Sequence, residues 1–128
     1  PPEADSPQVG LAPCPKSPNC VSSDARDSVH AIAPFRIRVP QADGWRAARE
    51  AVLKLPRTRI VSETPTTLHA ESRSAVFGFV DDVELELRPE SGLIAVRSAS
   101  RVGYGDMGVN RRRVEEIRST LQSENVVD

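Results

Sequence analysis

The chain has 128 residues, which favours a single domain, and its basic and acidic side chains nearly balance at a net charge of −1. This balance excludes a strong overall attraction to nucleic acid or to an anionic membrane, and no apolar run approaches the roughly 18 residues of a membrane span. Leu, Ile, Val and Phe make up 24% of the residues, enough for one small hydrophobic core.

The N-terminal segment is rich in proline and has features of an exported protein. The sequence begins Pro1-Pro2 and its single methionine is Met107, so we expect that a leader, or a segment tethering the protein to a membrane, precedes Pro1. Six of the 11 prolines lie within residues 1–18. The predicted organisation is a flexible linker over 1–12, a single domain over 13–122 and a flexible tail over 123–128.

The two cysteines, Cys14 and Cys20, enclose a Pro-Lys-Ser-Pro-Asn segment that favours a turn and would bring the thiols together. A disulfide is the favoured interpretation. Free thiols remain an alternative, and a metal site would need His30 or His69, whose spacing matches no common zinc site. A disulfide implies an oxidising compartment, so we expect a protein that is exported and is periplasmic or membrane-anchored.

The first part of the predicted domain contains a strand, a helix and two further strands. Residues 35–39 alternate between apolar and polar side chains, which predicts an edge strand that ends before a proline. Asp43 is placed to cap a helix that continues to about residue 55. Residues 58–63 and 67–73 then read as two short strands around a Thr-Pro-Thr turn.

The longest strand prediction runs from Ala75 to Leu87, with Phe77 and Phe79 at the start of its apolar row. A Pro-Glu-Ser-Gly turn leads into a returning strand. In the register that places Glu84 opposite Arg97, apolar side chains meet on one face and opposite charges meet on the other. This agreement favours the hairpin over a slipped pairing.

A last helix follows, capped by Asp106 or Asn110, with Val114, Ile117 and Leu121 directed inward. Short connections make neighbouring strands antiparallel. The predicted fold class is therefore α+β, a two-layer domain with a mostly antiparallel sheet of four to five strands and two helices on one face. A Pro-rich, disulfide-closed N-terminal segment precedes it.

The alternation fails at Asp81, which falls in the apolar row between Phe79 and Val83. A carboxylate there must be paired or hydrogen-bonded, and Ser100 together with Arg101 or an arginine of the last helix are the expected partners. These groups form either a structural network or a site for an anionic ligand. The candidate binding residues are Asp81, Asp82, Arg97, Ser98, Ser100, Arg101, Tyr104, Asp106, Asn110 and Arg111.

No motif in the sequence predicts catalysis. The three consecutive arginines at 111–113 point in different directions on a helix and are followed by two glutamates, which is typical of a solvated face. The Gly-Tyr-Gly-Asp-Met-Gly loop lacks the lysine of a phosphate-binding loop. We therefore predict no catalytic residue, no metal site, no cofactor and no nucleic-acid partner.

Four features of the sequence together resemble a known family: CPKSPNCVSS, FGFVDDVELEL, VRSASRVGYGDMGVNRRR and the separate Trp45. They are similar to the bacterial, cyanobacterial and chloroplast proteins catalogued as domain of unknown function 1499, over about residues 12–121. The resemblance implies an export signal or a lipoprotein-like start, and it supplies no activity. Its motif positions also include Asn19 and Arg113.

The function expected from the sequence is that of an exported accessory or ligand-binding domain without catalytic activity. Its partner would be a small anionic or polar molecule, or another protein. One alternative is a small enzyme that acts on an anionic substrate through Asp81 or Asp106 together with Arg101. A further alternative is a purely structural interaction module.

Overall fold

The computed structural model of the protein describes residues 11–128, and the fold it shows is an antiparallel sheet covered by two helices. The elements in chain order are β1 (Cys20–Ser22), β2 (Phe35–Arg36), α1 (Gln41–Leu53), β3 (Thr58–Glu63), β4 (Thr67–Arg73), β5 (Val80–Arg88), β6 (Leu93–Ser100) and α2 (Val109–Ser123). The strand order is β1-β6-β5-β4-β3, and β2 also pairs with β6. The predicted α+β class is confirmed, with six strands in place of four or five.

The core lies between the sheet and the two helices. In β4 and β5, buried inward-facing side chains alternate with more exposed outward ones, as a sheet with one buried face requires. In β6 the outward-facing Ala95 and Ala99 are buried as well. The helices complete this core from the other side with small and branched apolar residues. The buried helix contributions are Ala48, Ala51 and Val52 of α1 and Val114, Ile117 and Leu121 of α2.

The predicted hairpin register is confirmed along the whole β5–β6 pair. Glu84 lies opposite Arg97, and their side chains form an ion pair at 3.3 Å between Oε1 and Nη1. On the other face Leu85 lies opposite Val96, and both side chains are buried. A shift of one residue would have exchanged these two faces, so side-chain patterning alone specifies the register.

The prediction of a strand beginning at Ala75 is wrong, because β5 begins only at Val80. Residues 74–79 form a loop in which the Ser74 N–H donates to the Phe79 carbonyl oxygen at 2.9 Å and the Phe79 N–H donates to Ser74 Oγ at 3.0 Å. Gly78 has φ of +69°, which interrupts an extended strand. Phe77 and Phe79 are consequently exposed instead of buried.

Residues of the tail predicted over 123–128 pack against the rest of the domain. Val126 and Val127 are buried in the core, and the Arg38 N–H donates to the Val126 carbonyl oxygen at 2.8 Å. Val127 forms an isolated antiparallel bridge with Ile37, so the C-terminal end pairs alongside the residues that follow β2. The strand predicted over 35–39 is limited to Phe35–Arg36.

Helix boundaries differ from the predictions in their capping groups. Helix α1 begins at Gln41 after Pro40, so Asp43 lies within its first turn and makes no capping hydrogen bond. Helix α2 begins at Val109 after Gly108. Asp106 nevertheless satisfies two free N–H groups near this helix start, as described below.

The N-terminal segment is held by the predicted disulfide between Cys14 and Cys20, with Cα atoms 5.7 Å apart. Residues 1–10 of the linker predicted over 1–12 lie outside the described part of the chain. Near the C-terminal end of this predicted linker, the Leu11 N–H donates to Asp24 Oδ2 at 3.1 Å. The disulfide loop leads directly into β1, a strand that the sequence patterns did not predict.

Candidate functional site

Asp81 and Arg113 form a buried ion pair between β5 and α2. Asp81 lies on the inward face with 9% of its surface exposed, and its Oδ2 is 2.8 Å from Arg113 Nη2. The partner of Asp81 is thus an arginine of the last helix and not Arg101. Ser100 lies opposite Asp81 in the sheet as predicted, but no hydrogen bond joins their side chains in the described structure.

Asn110 joins this pair to three other parts of the molecule. Its side chain is fully buried, and its Nδ2 lies 2.8 Å from Asp106 Oδ2, 2.9 Å from Ser100 Oγ and 3.2 Å from the Asn19 carbonyl oxygen. Its Oδ1 accepts hydrogen bonds from Ser98 Oγ at 2.7 Å and from Arg113 Nη1 at 2.8 Å. A single amide thereby connects α2, β6 and the disulfide loop.

Asp106 stabilises the start of α2 through both carboxylate oxygens. Oδ1 accepts the Gly108 N–H at 2.8 Å, and Oδ2 accepts the Asn110 N–H at 3.1 Å. Burial opposes ionisation of this carboxyl group. The hydrogen bonds from the Asn110 side chain and from these backbone N–H groups outweigh that effect, so the pKa of Asp106 is lowered.

A cleft of about 350 Å³ opens above the Asp81–Arg113 pair, between the ends of β4 and α1 and the first turns of α2. The hydroxyl-bearing residues Ser72 and Ser74 contribute to its wall. The charged residues of the lining are four arginines and two acids, namely Arg57, Arg73, Arg112, Arg113, Asp81 and Glu116. This excess of guanidinium groups suits a small anion.

Arg57 enters the cleft wall in an uncommon backbone conformation. Its φ is +52°, which is left-handed and costs a non-glycine residue some conformational free energy. The position is held because the Arg73 N–H donates to the Arg57 carbonyl oxygen at 3.0 Å and Arg57 Nε donates to the Arg73 carbonyl oxygen at 2.9 Å. Arg57 and Arg73 are therefore fixed next to each other at the mouth of the cleft.

The outward face of the sheet carries a second, separate network around Asp82. Arg101 donates to both oxygens of Asp82, each at 2.8 Å, and to Glu71 Oε2 at 2.6 Å. His69 Nε2 lies 2.6 Å from Asp82 Oδ1. The hydrogen bonds from Arg101 lower the pKa values of both carboxyl groups against the opposing effect of burial.

Arg97 is shared between this outward face and the N-terminal segment. Besides its ion pair with Glu84, its Nη2 donates to the Pro13 carbonyl oxygen at 3.2 Å. Its Nε is buried without a hydrogen-bond partner in the described structure. Arg97 therefore anchors the disulfide loop against the sheet.

The structure divides the ten candidate residues into groups instead of bringing them to one point. Asp81, Ser98, Ser100, Asp106 and Asn110 share the inward network, as shown by the hydrogen bonds and the ion pair above. The outward group consists of Asp82, Arg97 and Arg101.

The last two candidates belong to neither group. Tyr104 is exposed on the loop before α2. Arg111 donates to the backbone carbonyl oxygens of Val29 and Ala31, at 3.0 Å and 2.9 Å. The residues of the enzyme alternative also lie apart, because Arg101 is on the opposite face of the sheet from Asp81.

Several residues of the cleft and its network were not among the candidate binding residues. Asn19 occurred only as a motif position of the family resemblance, and Arg113 only there and within the arginine run of the last helix. Arg57, Arg73 and Arg112 carry no local signal, because their proximity depends on how β4, α1 and α2 meet. Arg113 follows Asn110 by three residues and therefore lies on the same face of the predicted helix. This spacing is the sequence signal that could have identified Arg113 as part of the network.

These features define a two-layer α+β domain with a disulfide-closed N-terminal segment and an arginine-lined cleft. The profile of the family described as "Protein of unknown function (DUF1499)" matches residues 10–121, and the chain belongs to this family. No curated protein matches the sequence. Within residues 11–128, no helix is long and apolar enough to cross a membrane, and no cluster of potential ligands could hold a metal ion.

Proposed function

We propose that this domain is an accessory binding protein, without catalytic activity of its own, that takes a small anionic ligand in the cleft above Asp81 and Arg113. The observation that carries the proposal is the four arginines around one concave space of about 350 Å³. A space of this size is in the range of small-molecule sites. Guanidinium groups bind carboxylates and phosphates through paired hydrogen bonds.

The arginines of the cleft differ in how far they are already engaged. Arg113 is neutralised by Asp81 and held by Asn110, so it supports the floor of the cleft. Arg57 and Arg112 donate to backbone carbonyl oxygens, and within the described residues neither makes an ion pair with a carboxylate. Their positive charges are the ones available to an incoming anion.

Titration with inorganic phosphate, sulfate and succinate, followed by two-dimensional NMR, tests the proposal. We expect saturable shifts at residues of the cleft for at least one anion. Arg57→Gln and Arg112→Gln should each weaken that binding by about tenfold, since each removes a charge-assisted hydrogen bond. Arg46→Gln is the matched control, because Arg46 is an exposed arginine of α1 that pairs only with Asp43 within the described residues.

An affinity that is unchanged in both cleft variants would contradict the proposal, as would the absence of saturable shifts with all three anions. Loss of binding in Arg46→Gln to the same degree would show a general charge effect instead of a site. The variants are compared by their unfolding midpoints first, so that loss of the fold is not read as loss of binding.

We also propose that the protein works in an oxidising compartment, as a periplasmic or otherwise exported domain. The Cys14–Cys20 disulfide supports this, because such bonds rarely persist among reduced cytosolic thiols. Alkylation of thiols in intact cells of the native host, before lysis, tests it by mass spectrometry. Two alkylated cysteines in the resident protein would contradict the proposal.

A further inference from the structure

Exposed apolar side chains are concentrated at one end of the molecule. Seven of the nine large apolar residues that are exposed in the described chain lie in or beside two loops, 74–79 and 101–108. These residues are Val76, Phe77, Phe79, Val102, Tyr104, Met107 and Val109. Scattered exposed apolar residues are ordinary, but a cluster of this kind marks an interaction surface. We call this group the apolar tip.

The two loops leave the same end of the sheet. The Arg101 N–H donates to the Val80 carbonyl oxygen at 3.2 Å, which joins the last turn out of β6 to the first residue of β5. Phe77 and Phe79 stack with ring centroids 5.4 Å apart. Phe77 is 75% exposed and Met107 is 92% exposed, so these side chains project from the loops instead of packing on the domain.

Three arginines lie beside the apolar tip. Arg57 and Arg73 line the hollow beside Val76 and Phe77, and Arg112 lies in the first turn of α2, close after Met107. The nearest carboxylate to Arg73 in the described chain is that of Glu71, at 3.9 Å. Asp106 is turned toward N–H donors of α2. The edge of the tip is therefore locally positive although the whole chain is nearly neutral.

From this arrangement we infer that the apolar tip docks on the surface of a lipid bilayer that contains anionic headgroups. Aromatic and aliphatic side chains on projecting loops can enter the boundary between headgroups and acyl chains, while arginines at their base meet the phosphates. A folded protein partner would need a recess to receive side chains exposed to this degree, whereas a fluid bilayer accommodates them without one. The inference does not depend on occupation of the cleft.

Flotation of the 128-residue chain with lipid vesicles tests the inference. Vesicles of phosphatidylcholine alone are compared with vesicles of equimolar phosphatidylcholine and phosphatidylglycerol, at low and high salt. We expect binding to the anionic vesicles that weakens with salt. The double variant Phe77→Ser/Phe79→Ser should lose at least about tenfold in partitioning, because it removes two exposed rings from the tip.

Two control variants distinguish binding through the apolar tip from nonspecific binding to vesicles. Val29→Ser/Leu53→Ser removes two apolar side chains that are exposed elsewhere, and it should leave vesicle binding unchanged. Arg57→Gln/Arg112→Gln should weaken binding to anionic vesicles by roughly fivefold per residue, and Arg46→Gln should not. Equal circular dichroism spectra and unfolding midpoints of all variants establish that the fold is retained.

The inference is overturned if the wild-type chain fails to float with either vesicle, or if the control pair loses binding as much as the tip pair. It is also overturned if analytical ultracentrifugation shows self-association that depends on Phe77 and Phe79 while vesicles bind nothing, because the tip then meets a second copy. Phosphate titration of Phe77→Ser/Phe79→Ser keeps this result distinct from the proposed cleft function, which should be unaffected.

Discussion

Asp81 and Asp82 are consecutive residues of β5, and each binds an arginine at 2.8 Å, yet they belong to two very different networks. Because successive side chains of a strand point to opposite faces, Asp81 meets Arg113 under α2 and Asp82 meets Arg101 on the open face. The side chains of the inward pair are 12% and 13% exposed, whereas Arg101 is 45% exposed. Both are pairs of a carboxylate and a guanidinium group, and they differ in how far they are exposed to solvent.

The difference shows that burial, and not the ion pair itself, decides what each carboxylate does. On the inward face, the pair is largely shielded from water, so the loss of one charge leaves the other poorly compensated. On the outward face, solvent and salt screen the charges, and His69 and Glu71 share them. The inward network therefore fixes how α2 meets the sheet, while the outward network contributes little to stability.

The largest effect is expected from Asp81→Ala. This substitution leaves Arg113 without its carboxylate in a largely buried position, and we expect the free energy of unfolding to fall by about 3 kcal/mol. Equilibrium unfolding in urea measures the change. If the stranded charge is the cause, Asp81→Ala/Arg113→Met should be more stable than Asp81→Ala alone. Equal stability of wild type and Asp81→Ala would remove the distinction between the two faces.

A smaller effect is expected from opening the Cys14–Cys20 disulfide, which lies between the two networks. The loop contacts the inward network through Asn19 and the outward face through the Arg97 bond to Pro13. If the disulfide acts by lowering the conformational entropy of the unfolded chain, closing a loop of this size stabilises the fold by about 2 kcal/mol. Urea unfolding of the Cys14→Ser/Cys20→Ser variant should show a loss of that order. Chemical shifts that change around Asn110 but not around Asp82 would show that the loop mainly serves the inward network.

Regular patterns account for what was predicted correctly. The β5–β6 register followed from Glu84 facing Arg97 and from Leu85 facing Val96, because one-residue slips would put charges in the core. The same alternation placed Asp81 in a row of apolar residues, which implied that its carboxylate has a partner. The disulfide followed from two cysteines around a turn-forming segment. Each of these predictions rests on residues that are close in sequence or related by strict periodicity.

The errors arose where periodicity continues past the end of an element or where distant segments meet. Phe77 and Phe79 extend the apolar row of β5, but Gly78 turns the chain before they can enter the sheet. Val126 and Val127 form too short a run to predict a buried segment, and they are buried because Ile37 and Arg38 offer them backbone pairing. The arginine-lined cleft is likewise a product of tertiary packing.

His30 lies in a third environment. The pH dependence of stability that it causes can be compared with the effects of the two aspartate networks. His30 is buried, with Nδ1 2.6 Å from Asp27 Oδ2 and Nε2 2.9 Å from the Ser17 carbonyl oxygen. Both partners only accept hydrogen bonds, so this geometry favours the protonated ring, in which both nitrogens donate. The bond to Ser17, followed by the contact with Asp27, raises the pKa of His30 against the effect of burial.

A raised pKa in the folded state means that the stabilisation is fully present below the unfolded value of about 6.5 and is lost as pH rises through the folded value. We expect urea unfolding to show decreasing stability above neutral pH, with a slope of at most about 1.4 kcal/mol per pH unit. His30→Gln should flatten this slope. A wild-type curve that rises over the same range would contradict the assignment of a charged imidazole.

The smallest effect is expected from Asp82→Ala, although Asp82 has the larger number of charged partners. Arg101 remains half exposed and keeps Glu71 as a partner after the substitution, so no charge is stranded in the protein interior. We expect a loss of less than about 1 kcal/mol, and less still at high salt because screening weakens the wild-type pair.

The decisive measurement is the salt dependence of both variants side by side. The stability difference caused by Asp82→Ala should shrink between low and high salt, whereas the difference caused by Asp81→Ala should largely persist, because salt screens a mostly buried pair much less than an exposed one. In the variant that lacks Asp82, His69 also loses the carboxylate at 2.6 Å from its Nε2. If the two variants lose equal stability at all salt concentrations, the faces of β5 do not differ as their burial indicates.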